Sequence, residues 1–393
     1  MDDDKINVCM ISLNYYPNFS GPDLQAHRVN RSLNNSNINI FVVTRNLGSR
    51  ENSLDEVIIY RLPRKRVLKK DSRSSLIIWI LSVIYYLIKN RKKYQIVHLL
   101  SGYTYSAIFT LIAGCLLRKQ IVVKNSLARG AFFKNSIRKK INLTVFKKYA
   151  HVISISSETR DELINANFRE GRTVFIPNGI ELNRFSPVKF EEKNKIKKKL
   201  FLDKTKKYGI FVGGLNERKG IDLLTESIKY IIDKIPNFQL LLLGNFSNIS
   251  FKKRIFHILE KNNIKEYVIF LGRRENVSDF LKASDIFLFP SLREGLPNSL
   301  LEAMATSLPA VCFSIGGVTD IVVNDFNGIL INNKLRDPKK LATIIVSLLK
   351  DKEKIDYLAK NAMLSIKEKY NIIEIANKYK KLYIALASKK EYL

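Results

Sequence analysis

One stretch limits what this chain can become: Pro290-Ser291-Leu292-Arg293-Glu294-Gly295-Leu296-Pro297-Asn298-Ser299-Leu300-Leu301-Glu302-Ala303-Met304. The apolar run before it, Asp285 to Phe289, reads as a buried strand. Ser299 to Ala305, rich in Leu, Ala, Met and Glu, reads as a helix. Gly295 and Pro297 make a tight loop between them, and Asn298 or Ser299 is expected to cap the helix. A strand, a short loop and a helix start form an anion site, because backbone N–H groups and the positive helix end face the loop. Glu294 stands before this cluster of N–H groups and Glu302 about one turn after it. A ligand laid across the loop meets a carboxylate on each side of its phosphates. Carboxylates accept hydrogen bonds from hydroxyls and avoid phosphate, so a nucleotide-sugar fits that layout.

Two glutamates at such a spacing, taken alone, read as ordinary solvated charge. The whole string argues otherwise. Arg-Glu-Gly-Leu-Pro-Asn-Ser-Leu-Leu-Glu-Ala-Met-Ala, residues 293–305, resembles the Glu, seven residues, Glu motif of retaining glycosyltransferases of family 4, which have the GT-B fold.

A chain of 393 residues is expected to form two domains, and 46% hydrophobic residues suffice for two cores. Cys9, Cys115 and Cys312 lie in apolar segments without paired spacing, and read as small core residues in a reducing compartment. His27, His98, His151 and His257 are scattered, so no metal-ligand cluster is expected. The first apolar run, Ile6 to Leu13, follows three aspartates and reads as a strand, not as a signal peptide. Leu76 to Ile88 is too short to span a bilayer. Its apolar residues run nearly all round, which favours burial in the core over a place at a membrane interface.

The net charge is +31 and unevenly spread. Between Val57 and Ser157, Asp71 is the single acid against 21 Lys and Arg, so this third of the chain or less carries +20 of the total. Two clusters dominate: Arg64, Lys65, Arg66, Lys69, Lys70 and Arg73, then Arg138, Lys139, Lys140, Lys147 and Lys148. Phe132-Phe133 adds an apolar wedge near the second. Such a patch calls for an anionic partner, and an anionic membrane surface is the expected one. Nucleic acid is not expected, since neither a stacking motif nor a recognition-helix pattern accompanies the charge.

Short apolar runs alternate with helical patterns twice, which predicts two parallel sheets. Strands are expected at 7–13, 39–44, 57–62, 96–100, 121–124, 152–155 and 173–176. Leu76–Ile88 and Tyr105–Leu117 would cover that sheet. Residues 187–206, dense in Lys and Glu, read as the connection between domains plus a short charged helix. The second series is 208–212, 239–243, 268–271, 286–289, 310–313 and 328–331. After Pro338 the chain reads as helical to its end.

Five shorter motifs support the resemblance. Gly213-Gly214-Leu215-Asn216-Glu217-Arg218-Lys219-Gly220 follows a strand and precedes the helix Ile221–Lys234. Glycines let a backbone approach phosphate and a lysine supplies charge; an ordinary turn with a solvated Arg-Lys pair has the same composition. In the family this loop binds the diphosphate, and Lys219 matches its lysine. The family's arginine falls on Gly214, and Arg218, four positions on, is the candidate to replace it. Ser20-Gly21-Pro22 resembles the family's glycine-rich first loop, with one glycine of the usual pair. Phe270-Leu271-Gly272-Arg273-Arg274 resembles the segment bordering the base, and Gly316-Gly317-Val318-Thr319-Asp320 the Gly-Gly-x-x-Glu loop. Ile176-Pro177-Asn178-Gly179 resembles the turn at the domain junction. Where many members carry a histidine near the reacting sugar, this chain has Lys124-Asn125-Ser126; His98 and His151 read as core or strand-end residues.

The resemblance therefore implies a GT-B protein of α/β class. Two doubly wound, Rossmann-like parallel-sheet domains would face across a cleft that holds the active site. Residues 1–186 would form the acceptor-side domain, 187–371 the nucleotide-sugar domain, and a C-terminal helix over about 372–390 would return to the first. The reaction implied is transfer of a sugar from a nucleoside-diphosphate sugar to a hydroxyl of a glycan or lipid-linked acceptor, with retained configuration, in bacterial cell-surface polysaccharide assembly. Glu294, Lys219 and Arg218 would act in catalysis. Gly21, Gly213, Gly214, Arg273, Gly295, Leu296, Asn298, Ser299, Leu300 and Glu302 would bind the donor. No cofactor or metal is implied. The expected place is the cytoplasm, at the inner face of the plasma membrane. A nucleotide-sugar epimerase and a non-catalytic partner subunit remain as alternatives; Gly214 and Asn125 motivate the second.

Overall fold

The structure, a computed structural model, describes every residue except 1–4, 18, 35, 70–71, 101–103, 127–136, 335 and 389–393, and of residues 104 and 137–139 it describes the backbone alone. The chain divides into two compact units, residues 1–179 with 372–393 and residues 180–371. Lys70, Asp71, Phe132 and Phe133 lie outside the described residues.

In the first unit β1 (Ile6–Ile11) leads through α1 (Gly21–Leu33) to β2 (Ile38–Arg45), β3 (Ser53–Leu54) and β4 (Val57–Leu62). Then come α2 (Arg73–Lys89), β5 (Ile96–Leu99), α3 (Thr104–Thr110), β6 (Gln120–Asn125), α4 (Ile137–Tyr149), β7 (Ala150–Ser154), α5 (Ser157–Asn165) and β8 (Thr173–Phe175). The strands form one sheet in the order β3-β4-β2-β1-β5-β6-β7-β8. Every pairing is parallel except β3 with β4. Apolar side chains on both faces suit a sheet covered by helices on both sides. Val8, Cys9, Val42, Val43, Ile96, Val97, Ile121, Val122 and Val123 are all buried.

The second unit runs α6 (Phe190–Lys199), β9 (Lys207–Val212), α7 (Ile221–Ile232), β10 (Phe238–Leu243), α8 (Ile249–Lys261), β11 (Val268–Gly272), α9 (Val277–Ala283) and β12 (Ile286–Phe289). It continues with α10 (Asn298–Ala305), β13 (Ala310–Ser314), β14 (Ile329–Asn332), α11 (Pro338–Lys350) and α12 (Lys352–Lys369). Its sheet is wholly parallel, in the order β11-β10-β9-β12-β13-β14. The last helix, α13 (Ile372–Ala387), packs on α1, β1 and β5 of the first unit. His98 on β5 and Tyr383 on α13 share a buried hydrogen bond of 2.7 Å between Nδ1 and the phenol oxygen. Burial pushes the His98 imidazole down to about 3, so it stays neutral at working pH.

Three expectations need correction. Helix α2 is not buried all round. Trp79, Val83, Tyr86 and Leu87 enter the core, but Ile77, Leu81, Tyr85 and Ile88 are exposed, with Tyr85 at 64%. Spacings of four, four and three place those four on one outward stripe. Apolar residues all round a helix thus mean two apolar faces here, one of them open. Cys115 is exposed and is not a core residue, whereas burial raises the thiol pKa of Cys9 and Cys312. Residues 111–116 widen into a π-helix after α3 instead of continuing it. The exposed side of Cys115 lies in that segment.

Candidate active site

Strands β9 and β12 lie side by side at the centre of the second sheet, and the chain departs from them in opposite directions. That is the switch point of a doubly wound sheet, where the carboxyl ends of adjacent strands open a crevice for ligands. The loops leaving these two strands carry Gly213–Lys219 and Pro290–Asn298. Hydrogen bonds join them. The Leu292 N–H donates to the Arg218 carbonyl at 2.8 Å, and Ser291 Oγ lies 3.3 Å from the same oxygen. Arg218 Nη1 donates to the Arg293 carbonyl in return.

Two glycines permit close packing around the Pro290–Asn298 loop. Gly220 has φ +67°, and a Cβ there would stand 2.2 Å from the Pro290 carbonyl oxygen. A Cβ on Gly317 would stand 1.6 Å from the Gly295 carbonyl oxygen. Backbone cannot yield to such contacts, so both sites demand glycine. Before Gly220, residues 217–219 make a short helical turn, and Asn216 Oδ1 accepts from the Lys219 N–H at 3.2 Å. The turn fixes the direction in which Lys219 leaves the backbone.

Lys219 Nζ lies 2.7 Å from Glu294 Oε1, and Arg218 Nη1 lies 3.0 Å from the same oxygen. Ser291, fully buried, also donates to it. All three partners converge on Oε1; among the described residues none bonds Oε2. The Lys219 ammonium also sits 5.0 Å from the centroid of the Phe289 ring. Burial lowers the Lys219 pKa, with Arg218 adding to the effect, while Glu294 opposes it. The result is a desolvated lysine held by one oxygen of a carboxylate, at the mouth of a switch point.

Helix α10 begins differently from expectation. Its N-cap is Pro297, which has no side-chain acceptor, and Asn298 is its first residue. Neither Asn298 nor Ser299 caps it from the side chain, because the helix starts one residue earlier than its apolar pattern suggests. Its positive end therefore faces the loop without a side-chain cap. Glu302 is buried on α10, and Leu300 is fully buried, so the Leu300 side chain serves the core. Gly295 and Leu296 are buried in the loop. Gly214 is exposed, and a Cβ there would meet Asn216 Nδ2 at an ordinary 3.5 Å, so space does not exclude the arginine that the family carries.

Arg273 does not join this cluster. It is exposed after β11, which β10 separates from β9. Gly21 belongs to the first unit, where it opens α1. Two features escaped the sequence reading. Ser291 gives no signal beyond its place directly after a strand. A pocket of about 480 Å³ beside Arg218, lined by Asn216, Arg218, Ser247, Asn248, Phe251 and Arg254, gathers residues from loops thirty positions apart.

Comparison with known proteins agrees with this geometry. The sequence pattern of the family described as Glycosyltransferase Family 4 matches residues 20–184, and that of Glycosyl transferases group 1 matches residues 192–364. The UDP-Gal:alpha-D-GlcNAc-diphosphoundecaprenol alpha-1,3-galactosyltransferase of Escherichia coli is 29% identical over 401 residues, covering 98% of each chain. Among solved structures, Anabaena HepE in complex with UDP-glucose superposes with a TM-score of 0.80 at 17% identity, over 97% of this chain and 100% of that one. Sucrose-phosphate synthase from Thermosynechococcus elongatus gives 0.79 at 22% identity, over 98% and 100%. With both halves matched and the whole fold shared, the chain belongs to the glycosyl transferases of group 1 and family 4, has their GT-B fold, and is a glycosyltransferase.

Proposed function

We propose that the protein transfers a sugar from a UDP-sugar to a hydroxyl of a lipid-linked acceptor, with retained anomeric configuration, in the assembly of a bacterial cell-surface polysaccharide. The observation that carries this reading is the Lys219–Glu294–Arg218 cluster at the β9/β12 switch point, in the loops that precede α7 and α10. Support for the donor and acceptor class comes from the full-length galactosyltransferase relative, whose name specifies both. The bond between the sugar's anomeric carbon and the diphosphate breaks, and one to the acceptor oxygen forms on the same face. The acceptor's proton passes to a phosphate oxygen of the leaving group. Charge on that diphosphate grows as the bond breaks, and Lys219, Arg218 and the α10 N-terminus stabilise it without a metal. Glu294 presents Oε2 to hydroxyls of the donor sugar. Glu302 takes hydroxyls of the ribose. The test is NMR of the product made from an α-linked UDP-sugar and a lipid-diphosphate acceptor: an α linkage is expected, and a β linkage would overturn retention.

Glu302 gives a separate check. Glu302→Ala removes a charged acceptor from the ribose, worth about 1.5–3 kcal/mol, so UDP should bind about tenfold to a hundredfold more weakly. Calorimetry showing wild-type UDP affinity would remove Glu302 from the ribose site.

The same reading places the enzyme on an anionic membrane at its cytoplasmic face. Among the described residues no helix is long and apolar enough to cross a membrane. The basic segment from Val57 to Ser157 and the exposed α2 stripe of Ile77, Leu81, Tyr85 and Ile88 support contact with its surface. Each Lys or Arg near such a surface contributes about 1 kcal/mol, so half a dozen hold the protein reversibly. Co-sedimentation with vesicles should require anionic lipid and weaken near 0.5 M salt, where the screening length is roughly 4 Å. Leu81→Ser should lower the bound fraction without changing Tm, because Leu81 is 61% exposed. Wild-type protein that ignores vesicles of every composition would refute membrane docking.

A further inference from the structure

The first unit contains a pocket of about 400 Å³ lined by none of the residues assigned above to the donor. It lies where the chain leaves β1 and β2, beside Arg61 near the end of β4. Tyr15, Tyr16, Arg45, Arg50, Glu51 and Arg61 are among its lining. Three guanidiniums against one carboxylate leave it cationic. Two of the three are buried, Arg45 at 4% and Arg61 at 7% exposure. Each is pinned by backbone: Arg45 Nε donates to the Leu13 carbonyl at 3.1 Å, and Arg61 Nε to the Glu51 carbonyl at 2.9 Å. Arg45 Nη2 also donates to Asn14 Oδ1 at 2.5 Å, which ties it to the loop after β1.

Arg61 is the informative member. Its Nη2 is buried and has no hydrogen-bond partner among the described residues. A buried guanidinium nitrogen with an unspent donor is costly unless something completes it. Burial lowers the pKa of this arginine, against the nearby Glu51 and Tyr16. A core structural arginine would normally have a carboxylate opposite it. Here the site is open on one side, rimmed by the exposed Arg50, and faced by two tyrosines. Planar guanidiniums on fixed backbone anchors match phosphate oxygens in geometry and charge. Aromatic rings beside them suit a sugar or the first apolar atoms of a lipid.

We propose that this pocket receives the diphosphate of the lipid-linked acceptor, with Arg45, Arg50 and Arg61 on its phosphoryl oxygens and Tyr15 and Tyr16 against the groups on either side. The assignment rests on the lipid-linked acceptor reading above and gives it a location. It makes the diphosphate linkage, and not the acceptor sugar alone, part of what the enzyme recognises.

The probe is farnesyl diphosphate, titrated calorimetrically into protein saturated with UDP so that the donor site is filled. It should bind, and Arg50→Gln and Arg61→Gln should each weaken it by about tenfold or more, the loss of one charge-assisted contact. UDP affinity should not change. Glu51→Gln should tighten farnesyl diphosphate. Arg50 is exposed, so its variant tests the pocket even if Arg61→Gln folds poorly. Unchanged affinity in Arg50→Gln, or no binding to the UDP-saturated protein, would overturn the proposal. Inorganic pyrophosphate binding as tightly as farnesyl diphosphate would mark a free-anion site and overturn the lipid assignment. Sugar transfer separates the two readings. If wild type glycosylates a lipid-diphosphate acceptor and Arg50→Gln leaves its acceptor KM unchanged, the pocket assignment is wrong and the reaction stands. If UDP-saturated wild type binds farnesyl diphosphate in this pocket but glycosylates no lipid-linked acceptor, the reaction fails, and with it the pocket's role.

Discussion

Lys219→Ala is expected to lower kcat by about a hundredfold to a thousandfold, the usual cost of one donor that meets charge developing in the transition state. Donor affinity should fall less than tenfold. The ground-state diphosphate already carries charge, but it gains more as the sugar leaves, so the ammonium is worth most at the transition state. The structure makes this a clean experiment. Without Lys219, Glu294 Oε1 keeps Arg218 at 3.0 Å and the Ser291 hydroxyl, so the carboxylate is not stranded. The variant also loses a cation whose pKa burial depresses, so the fold should not suffer. Lys219→Arg retains the charge but replaces a compact ammonium with a planar fork in a tight space beside Phe289, and should recover only part of the rate. Pre-steady-state measurement of sugar transfer decides the matter. An unchanged kcat with a raised KM would make Lys219 a uniform binding contact instead.

Much of this site was legible before the structure. The pairing of Lys219 with the Glu294 loop was not read directly, but its ingredients were. Each loop follows an apolar run that could only be a buried strand, and a doubly wound sheet brings such loops together at one place. Boundaries followed the same logic: Val57–Leu62 and Ile286–Phe289 begin and end where their apolar runs do. What stayed hidden depends on three dimensions. Ser291 matters because β12 ends by turning its hydroxyl towards Glu294, and no pattern in one dimension encodes that. The open stripe on α2 was hidden because hydrophobicity alone does not say which of two apolar faces meets the sheet. Arg45 and Arg61 were invisible as a pair: they read as strand residues sixteen positions apart until β2 and β4 lie side by side. Cys115 misled for a related reason, since an apolar neighbourhood in sequence still has an outward side.

Glu294→Ala is expected to be the most damaging single change in the second unit, and to act through stability as well as rate. It leaves Lys219, with a side chain only 12% exposed, without the carboxylate that lies 2.7 Å away. Removing one partner of a buried ion pair costs about 3–5 kcal/mol, because the remaining charge keeps its desolvation penalty. Arg218, with 38% of its side chain exposed, can turn to water and adds little. The effect has a sign in pH. Burial already holds the Lys219 pKa below 10.5, and Glu294 is the influence that opposes it. Without Glu294 the folded-state value falls further, while the unfolded value is unchanged. Between those two values the unfolded chain binds the extra proton, so stability of the variant rises with pH across that window. Its deficit against wild type is therefore largest where Lys219 is protonated in both states and shrinks as pH climbs towards 10.5. Glu294→Gln separates the two roles. It preserves shape and an acceptor oxygen, so it should lose less stability than the alanine variant while still losing sugar transfer. Thermal unfolding of the three proteins from pH 6 to pH 10 is the measurement. A Glu294→Ala variant as stable as wild type at pH 7, or one whose deficit widens with pH, would mean that Lys219 does not depend on this carboxylate for its charge.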